Sequence, residues 1–241
     1  MDRETVYKWN NTVASYDVDQ NGKLKLSAVL KYNQEAGEKH VSRQGFSAAR
    51  LRSEFGLAFV ASAIAVRIYR MPLLGEEITV ETWCEPIKKG YYVRNHRYIS
   101  QAQVLIECKG QYPLVDTVTG RVTRPVQRLG DKEFLFDERV NEGCVIQKLR
   151  PTEQGEQVGR RVYYSDIDYN GHLNNARYAE LVLDSLPNGR QGKEIKEFHI
   201  KYKEAVFLNN NITICINDDK NSVDFCGKKE NRVCFMARCC F

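Results

Sequence analysis

The sequence predicts an α+β fold in which a helix packs on a mostly antiparallel sheet, and it writes that unit twice. Three observations carry this. The eight residues from Asp17 read DVDQNGKL and the eight from Asp166 read DIDYNGHL, with five positions identical. Each copy runs into a helical pattern, Leu26, Val29 and Leu30 in the first and Tyr178, Leu181 and Val182 in the second. Consecutive strand-like runs then follow each helix, which is not the alternation of a parallel βαβ fold.

Taken in order, the strand-like runs are 59–69, 77–84, 91–100, 103–113, 197–202, 211–217 and 232–239, rich in Val, Ile, Tyr, Phe, Thr and Cys. Turn residues separate them at 71–75, 88–90, 119–120, 209–211 and 218–220. Residues 74–80 align without gaps to 208–214, at an offset of 134 against 149 for the first match. The first copy therefore carries about fifteen extra residues, assigned to a charged helix around 47–54. The polar stretch 131–157 reads as a linker, giving units 1–130, 131–157 and 158–241.

A chain of 241 residues buries a good core. It has no apolar run long enough to span a bilayer. MDRETVYKWNN lacks the apolar segment of a secretory signal, so the expected location is cytoplasmic, away from any membrane. The eight cysteines form no C-x-x-C pair, so they read as reduced core thiols rather than zinc ligands or disulfides. A net charge of +5 is too mild for a nucleic-acid binder. Basic residues recur at Lys88, Lys89, Arg94, His96, Arg97, Arg121, Arg124, Arg128, Arg160 and Arg161. They read first as a solvated face, and alternatively as a docking surface for an acidic partner.

Both repeats open like a calcium loop, with Asp17, Asp19, Asn21, Gly22 and Asp166, Asp168, Asn170, Gly171. Calcium needs a bidentate glutamate at the twelfth position, where Ala28 and Arg177 stand instead. In the second copy Asp168, Asn170 and His172 occupy alternate positions just before a helix, where side chains can project together. A histidine there suits general-base activation of water, and an amide beside it can hold a carbonyl or the water. Asp166, Asn174 and Asn175 have the plainer role of capping. His40, His96 and His199 lack this company and read as structural or surface groups. Lys23 replaces the histidine in the first copy, and a lysine is a poor base near neutral pH. The first half then supports the fold and shapes a pocket, with 59–68 as a candidate wall or simply core.

The stretch YSDIDYNGHLNNARYAELVLDSLP resembles the signature of the fatty acyl-ACP thioesterases, bacterial relatives of the plant plastid enzymes. The resemblance covers nearly the whole chain. It implies a double hot-dog fold, each half a long helix packed on a mostly antiparallel sheet. It also implies hydrolysis of fatty acyl thioesters on an acidic acyl carrier protein, without metal or other cofactor, and matches Asp168, Asn170 and His172 to the catalytic residues. The family's further acidic residue stands in a Tyr-x-x-Glu context, whereas Tyr202 here is followed by Lys203, Glu204 and Ala205. A one-residue slip turns a strand side chain to the other face, so Glu204 serves only if a bulge re-aims it. Alternatives remain: coenzyme A as carrier, a cysteine nucleophile at Cys215 or Cys226, or a non-catalytic acyl- or calcium-binding module. No G-x-S-x-G elbow supports a serine hydrolase. Acyl length and oligomeric state, a homodimer included, are open.

Overall fold

The computed structural model describes residues 4–88, 91–123, 134–152 and 155–241. The first half runs β1 (Val6–Thr12), α1 (Leu26–Arg43), α2 (Ala48–Phe55), β2 (Leu57–Phe59) and β3 (Ala63–Ile68). It continues through β4 (Glu77–Lys88), β5 (Tyr91–Ser100), β6 (Gln103–Tyr112) and β7 (Leu114–Asp116). The second half holds β8 (Glu156–Arg161), α3 (Arg177–Asp184), β9 (Glu197–Tyr202), β10 (Asn211–Asp219), β11 (Ser222–Lys229) and β12 (Arg232–Cys240). Ten strands form one sheet in the order β1-β4-β5-β6-β3-β9-β12-β11-β10-β8, and every pairing is antiparallel. Each half gives five strands in mirrored order, the double hot-dog arrangement.

The halves join through β3 and β9, where Ala65 pairs with His199. These two residues are also repeat equivalents at the 134-residue offset, so a local two-fold relation passes between them. Along β9, Phe198 and Ile200 enter a core that both halves share, with Val29, Ala36, Val66 and Ile106 from the first and Leu181, Ile214 and Phe225 from the second. The two helices pack on each other inside it.

α1 forms because Leu26, Val29, Leu30, Asn33, Ala36, Gly37, His40 and Val41 recur at helical spacing and all are buried. α3 has only eight residues and stops at Ser185, two before Pro187. The extra length of the first copy is thus spread over α1, with 18 residues, and over α2. β11 had no counterpart among the predicted strands. Its Gly227 lies where a Cβ would come within 1.9 Å of the Phe235 ring, a close approach that only glycine permits.

Several basic residues turn out not to form a surface. Arg94 and His96 are buried, and Arg97 pairs with Glu107 at 3.0 Å. Arg94 lies along Gly37 of α1, donating to His40 Nδ1 at 3.0 Å and Thr82 Oγ1 at 3.1 Å. Lys89, Arg124, Arg128, Gly90 of the predicted turn and positions 131–133 and 153–154 of the predicted linker lie outside the described residues. In the rest of that linker Phe134, Asn141, Cys144 and Leu149 are buried, while the residues between them stay exposed or half-exposed. Among the described residues no helix is long and apolar enough to cross a membrane.

Because Arg94 donates to Nδ1, His40 Nε2 carries the proton and donates to Glu4 O at 3.0 Å. Burial, and then the Arg94 charge, push the imidazole down to about 4 from 6.5. Acid therefore protonates the unfolded chain first. The contribution of His40 is fully present above about pH 6.5 and disappears as pH falls through about 4. Thermal midpoints across this range should fall more steeply for the wild type than for His40→Gln.

Candidate active site

The 166–173 loop is built by local bonds that its own residues dictate. Asp168 Oδ1 accepts from Asn170 N at 2.8 Å, Gly171 N donates to Asp168 O at 3.0 Å, and Asp168 N donates to His172 O at 3.0 Å. Gly171 sits at φ 82°, a conformation that favours glycine. The loop is tied to the next segment by Leu173 N donating to Val206 O at 2.7 Å and by pairing of His172 with Phe207. The first copy repeats this construction: Asp19 Oδ1 takes Asn21 N at 2.8 Å, Gly22 has φ 70°, and Lys23 pairs with Leu73.

The first carboxylate of the calcium-like loop is taken by groups of the chain itself. Arg177, at the twelfth position, donates to Asp166 Oδ1 at 2.8 Å through Nη2, so a guanidinium neutralises the first carboxylate of the loop. Asp166 also accepts from Tyr163 N at 2.9 Å, and these partners hold its carboxyl below the usual range despite burial. Asn174 Oδ1 takes Ala176 N at 2.8 Å in a local turn before α3, whose N-cap is Ala176 with no side-chain bond, so the capping predicted for Asn174 and Asn175 is not what the helix uses.

Asp168 and His172 meet. Asp168 Oδ2 lies 3.6 Å from His172 Nδ1, with the carboxylate side chain 8% exposed and the imidazole 34% exposed. That is ion-pair distance, longer than a formed hydrogen bond, and such contacts tighten when substrate closes a site. A carboxylate facing Nδ1 selects the tautomer with the proton there and leaves Nε2 as the basic atom. Asn170 sits between them in sequence, and its Oδ1 accepts from Arg52 Nη2 at 2.7 Å. Arg52 is a contact from α2 that sequence reading missed.

Glu204 is held by two cations. Lys203 N and Glu204 N both donate to Cys234 O, at 2.7 and 3.2 Å, so a bulge does follow β9. Its carboxylate pairs with Lys229 Nζ at 3.0 Å and Arg232 Nη2 at 3.1 Å, and the Lys229 bond holds it below the usual carboxylate range. Cys215 and Cys226 are buried cross-strand partners in a small cluster with Leu149 and Met236, on the sheet face opposite Ile214 and Phe225. The predicted acyl wall divides between the core, which takes Ile64, Val66 and Ile68, and an aromatic cluster that takes Phe59.

One donor group had no sequence signal. Glu197, His199 and Cys240 bring ligand-type atoms within 4.8 Å of one another. Arg67 and Gln147 already bond that carboxylate, so a guanidinium supplies the positive charge there.

Two family descriptions match the chain: the acyl-ACP thioesterase N-terminal domain over residues 4–129 and the acyl-ACP thioesterase C-terminal domain over 149–233. Oleoyl-acyl carrier protein thioesterase 1, chloroplastic, of Arabidopsis thaliana is 27% identical over 200 residues, 75% of this chain and 55% of that protein. Dodecanoyl-[acyl-carrier-protein] hydrolase, chloroplastic, of Umbellularia californica is 25% identical, over 82% of this chain and 56% of that protein. The chain spans about half the length of the curated relatives it matches. An acyl-ACP thioesterase structure from Bacteroides thetaiotaomicron superposes over 100% of both chains with a TM-score of 0.86 at 23% identity. The 12:0-ACP thioesterase of Umbellularia californica covers 98% of this chain and 96% of its own, with a TM-score of 0.83 at 20% identity. These superpositions show the same fold, and the two family matches together take in both halves of the sheet and the 166–173 loop: the chain belongs to the acyl-ACP thioesterase family.

Proposed function

We propose that this protein hydrolyses fatty acyl thioesters carried on acyl carrier protein, releasing the fatty acid and the carrier thiol. The observation that carries the reading is the Asp168–His172 pair, present in one loop while its twin holds Lys23. In this reading His172 Nε2 takes a proton from water as the oxygen attacks the thioester carbonyl carbon. Asp168 stabilises the imidazolium that forms. The tetrahedral intermediate then collapses, the C–S bond breaks, and the imidazolium returns its proton to the leaving sulfur. Asn170 stabilises the carbonyl oxygen as it gains charge. The first half supplies support and pocket, as units 1–130 and 158–241 around a linking segment.

Lys23 is paired at the surface rather than poised as a base, since Nζ meets Glu194 at 2.7 Å and that carboxylate raises its pKa further. Arg232, largely exposed where it pairs with Glu204 in the segment after β9, favours an acidic carrier. Both halves that meet at the loop come from one chain. Glu204 acts through its ion pairs rather than on the proton. Glu204→Gln should lower turnover by less than about tenfold, because it removes ion pairs and no group on the path of the proton.

The test is a panel of matched acyl chains on carrier protein and on coenzyme A. Faster turnover on the carrier is expected. Binding of acyl carrier without release of thiol would remove the enzymatic reading.

A further inference from the structure

The two repeat loops are each touched by the other half of the molecule, and with opposite charge. The loop of the first copy meets Glu194, from the segment between α3 and β9, which holds Lys23 at 2.7 Å. The loop of the second copy meets Arg52, from α2, which holds Asn170 at 2.7 Å. The cover over the lysine loop is acidic, and the cover over the histidine loop is basic.

Resting on the function proposed above, we infer that Arg52 is a positioning residue for the thioester reaction. It orients the Asn170 amide so that Nδ2–H, and not Oδ1, meets the substrate carbonyl. A guanidinium has donors only, so the atom it meets must be the amide oxygen. This fixes an orientation that side-chain shape alone leaves undetermined. It also turns the two Nδ2 hydrogens away from Arg52, free to donate. Positive charge at Oδ1 draws electron density through the amide and makes Nδ2–H a stronger donor to a developing oxyanion. Asn170 then has one role, as the donor to the carbonyl.

α2 is built to hold Arg52 in place. Ser47 Oγ caps its first turn by accepting from Arg50 N at 3.3 Å, and Gly56 ends it at φ 64°. Glu38 of α1 accepts from Ala48 N at 2.9 Å, and Arg50 pairs with Glu54 at 2.9 Å. Leu51 is 1% exposed and enters the aromatic cluster with Phe46, Tyr92 and Phe134, leaving Arg52 on the outward side. Among the described residues no carboxylate pairs with Arg52, so its charge is not spent elsewhere. α2 has no counterpart among the described residues of the second half, so the first loop has no equivalent clamp on Asn21.

The experiment is steady-state turnover of an acyl-carrier thioester by the full chain, with Arg52→Ala, Arg52→Lys, Asn170→Ala and the double variant Arg52→Ala/Asn170→Ala. Arg52→Ala should lower kcat about tenfold to a hundredfold, the scale on which small misplacements act, with KM nearly unchanged. Arg52→Lys, which keeps a donor and the charge, should recover part of the loss. The double variant should be no slower than Asn170→Ala, because Arg52 works only through that amide. Wild-type kcat in Arg52→Ala, a change confined to KM, or a double variant slower by the full product of the two losses would each overturn the inference. Full kcat in Asn170→Ala would instead remove the role assigned to Asn170 itself, and is visible separately.

Discussion

Replacing His172 by alanine should lower thioester hydrolysis by about 10²–10⁴-fold, the range a positioned general base contributes. The fold should hardly notice. His172 is a half-exposed loop residue whose backbone, not its side chain, pairs with Phe207. Surface substitutions of that kind stay within about 0.5 kcal/mol. The loop itself is secured by Asp168, Gly171 and Leu173, none of which is touched. Lys23→Ala is the matched control, because Lys23 occupies the same place in the twin loop. It removes only an exposed ion pair with Glu194, so the rate should stay at the wild-type value. Initial rates of thiol release and thermal midpoints on the same samples check both variants. Full turnover in His172→Ala would show that proton transfer runs through another group.

The repeat and its loops were legible because their structure is local. Asp19 and Asp168 each bond a backbone N–H two residues on, and Gly22 and Gly171 take the same left-handed turn. Such requirements leave the same letters in the same order in both copies. The one-residue offset of Glu204 was legible too, since strand side chains alternate and one missing residue is countable. The surroundings of Glu204 were not. Its partners Lys229 and Arg232 come from β11 and β12, and only pairing of strands brings them there. Arg52 and Asn170 are 118 residues apart, and neither residue type predicts the other. Arg94 read as a surface charge because burying a guanidinium costs free energy unless it finds acceptors. Those acceptors, His40 and Thr82, come from a helix and a neighbouring strand. The cysteines were legible as core residues, with seven buried and Cys240 half-buried.

Phe225→Ala should destabilise the protein by about 3–5 kcal/mol, and the loss should be felt in both halves at once. Phe225 is 1% exposed on β11, paired with Ile216 and Ala237 well inside the second half. Its ring belongs to the core that continues through Phe198 and Val66 to α1. The sheet is likewise unbroken, since Arg67 to Ala63 of β3 pair with Glu197 to Lys201 of β9. A cavity in the second half therefore weakens the surface on which the first half rests. The two tryptophans make this measurable, because Trp9 and Trp83 lie on β1 and β4, in the first half. With a urea dependence of about 2–3 kcal/mol per molar, the midpoint should fall by roughly 1–2 M. Tryptophan fluorescence and far-ultraviolet circular dichroism should report the same shifted transition. An unshifted fluorescence midpoint beside a shifted dichroism midpoint would mean that the halves unfold independently. The first half would then be a separate domain rather than the other wall of one core. One transition would tie the two halves together physically. Without the first half, neither the core beneath His172 nor the helix that presents Arg52 would then persist.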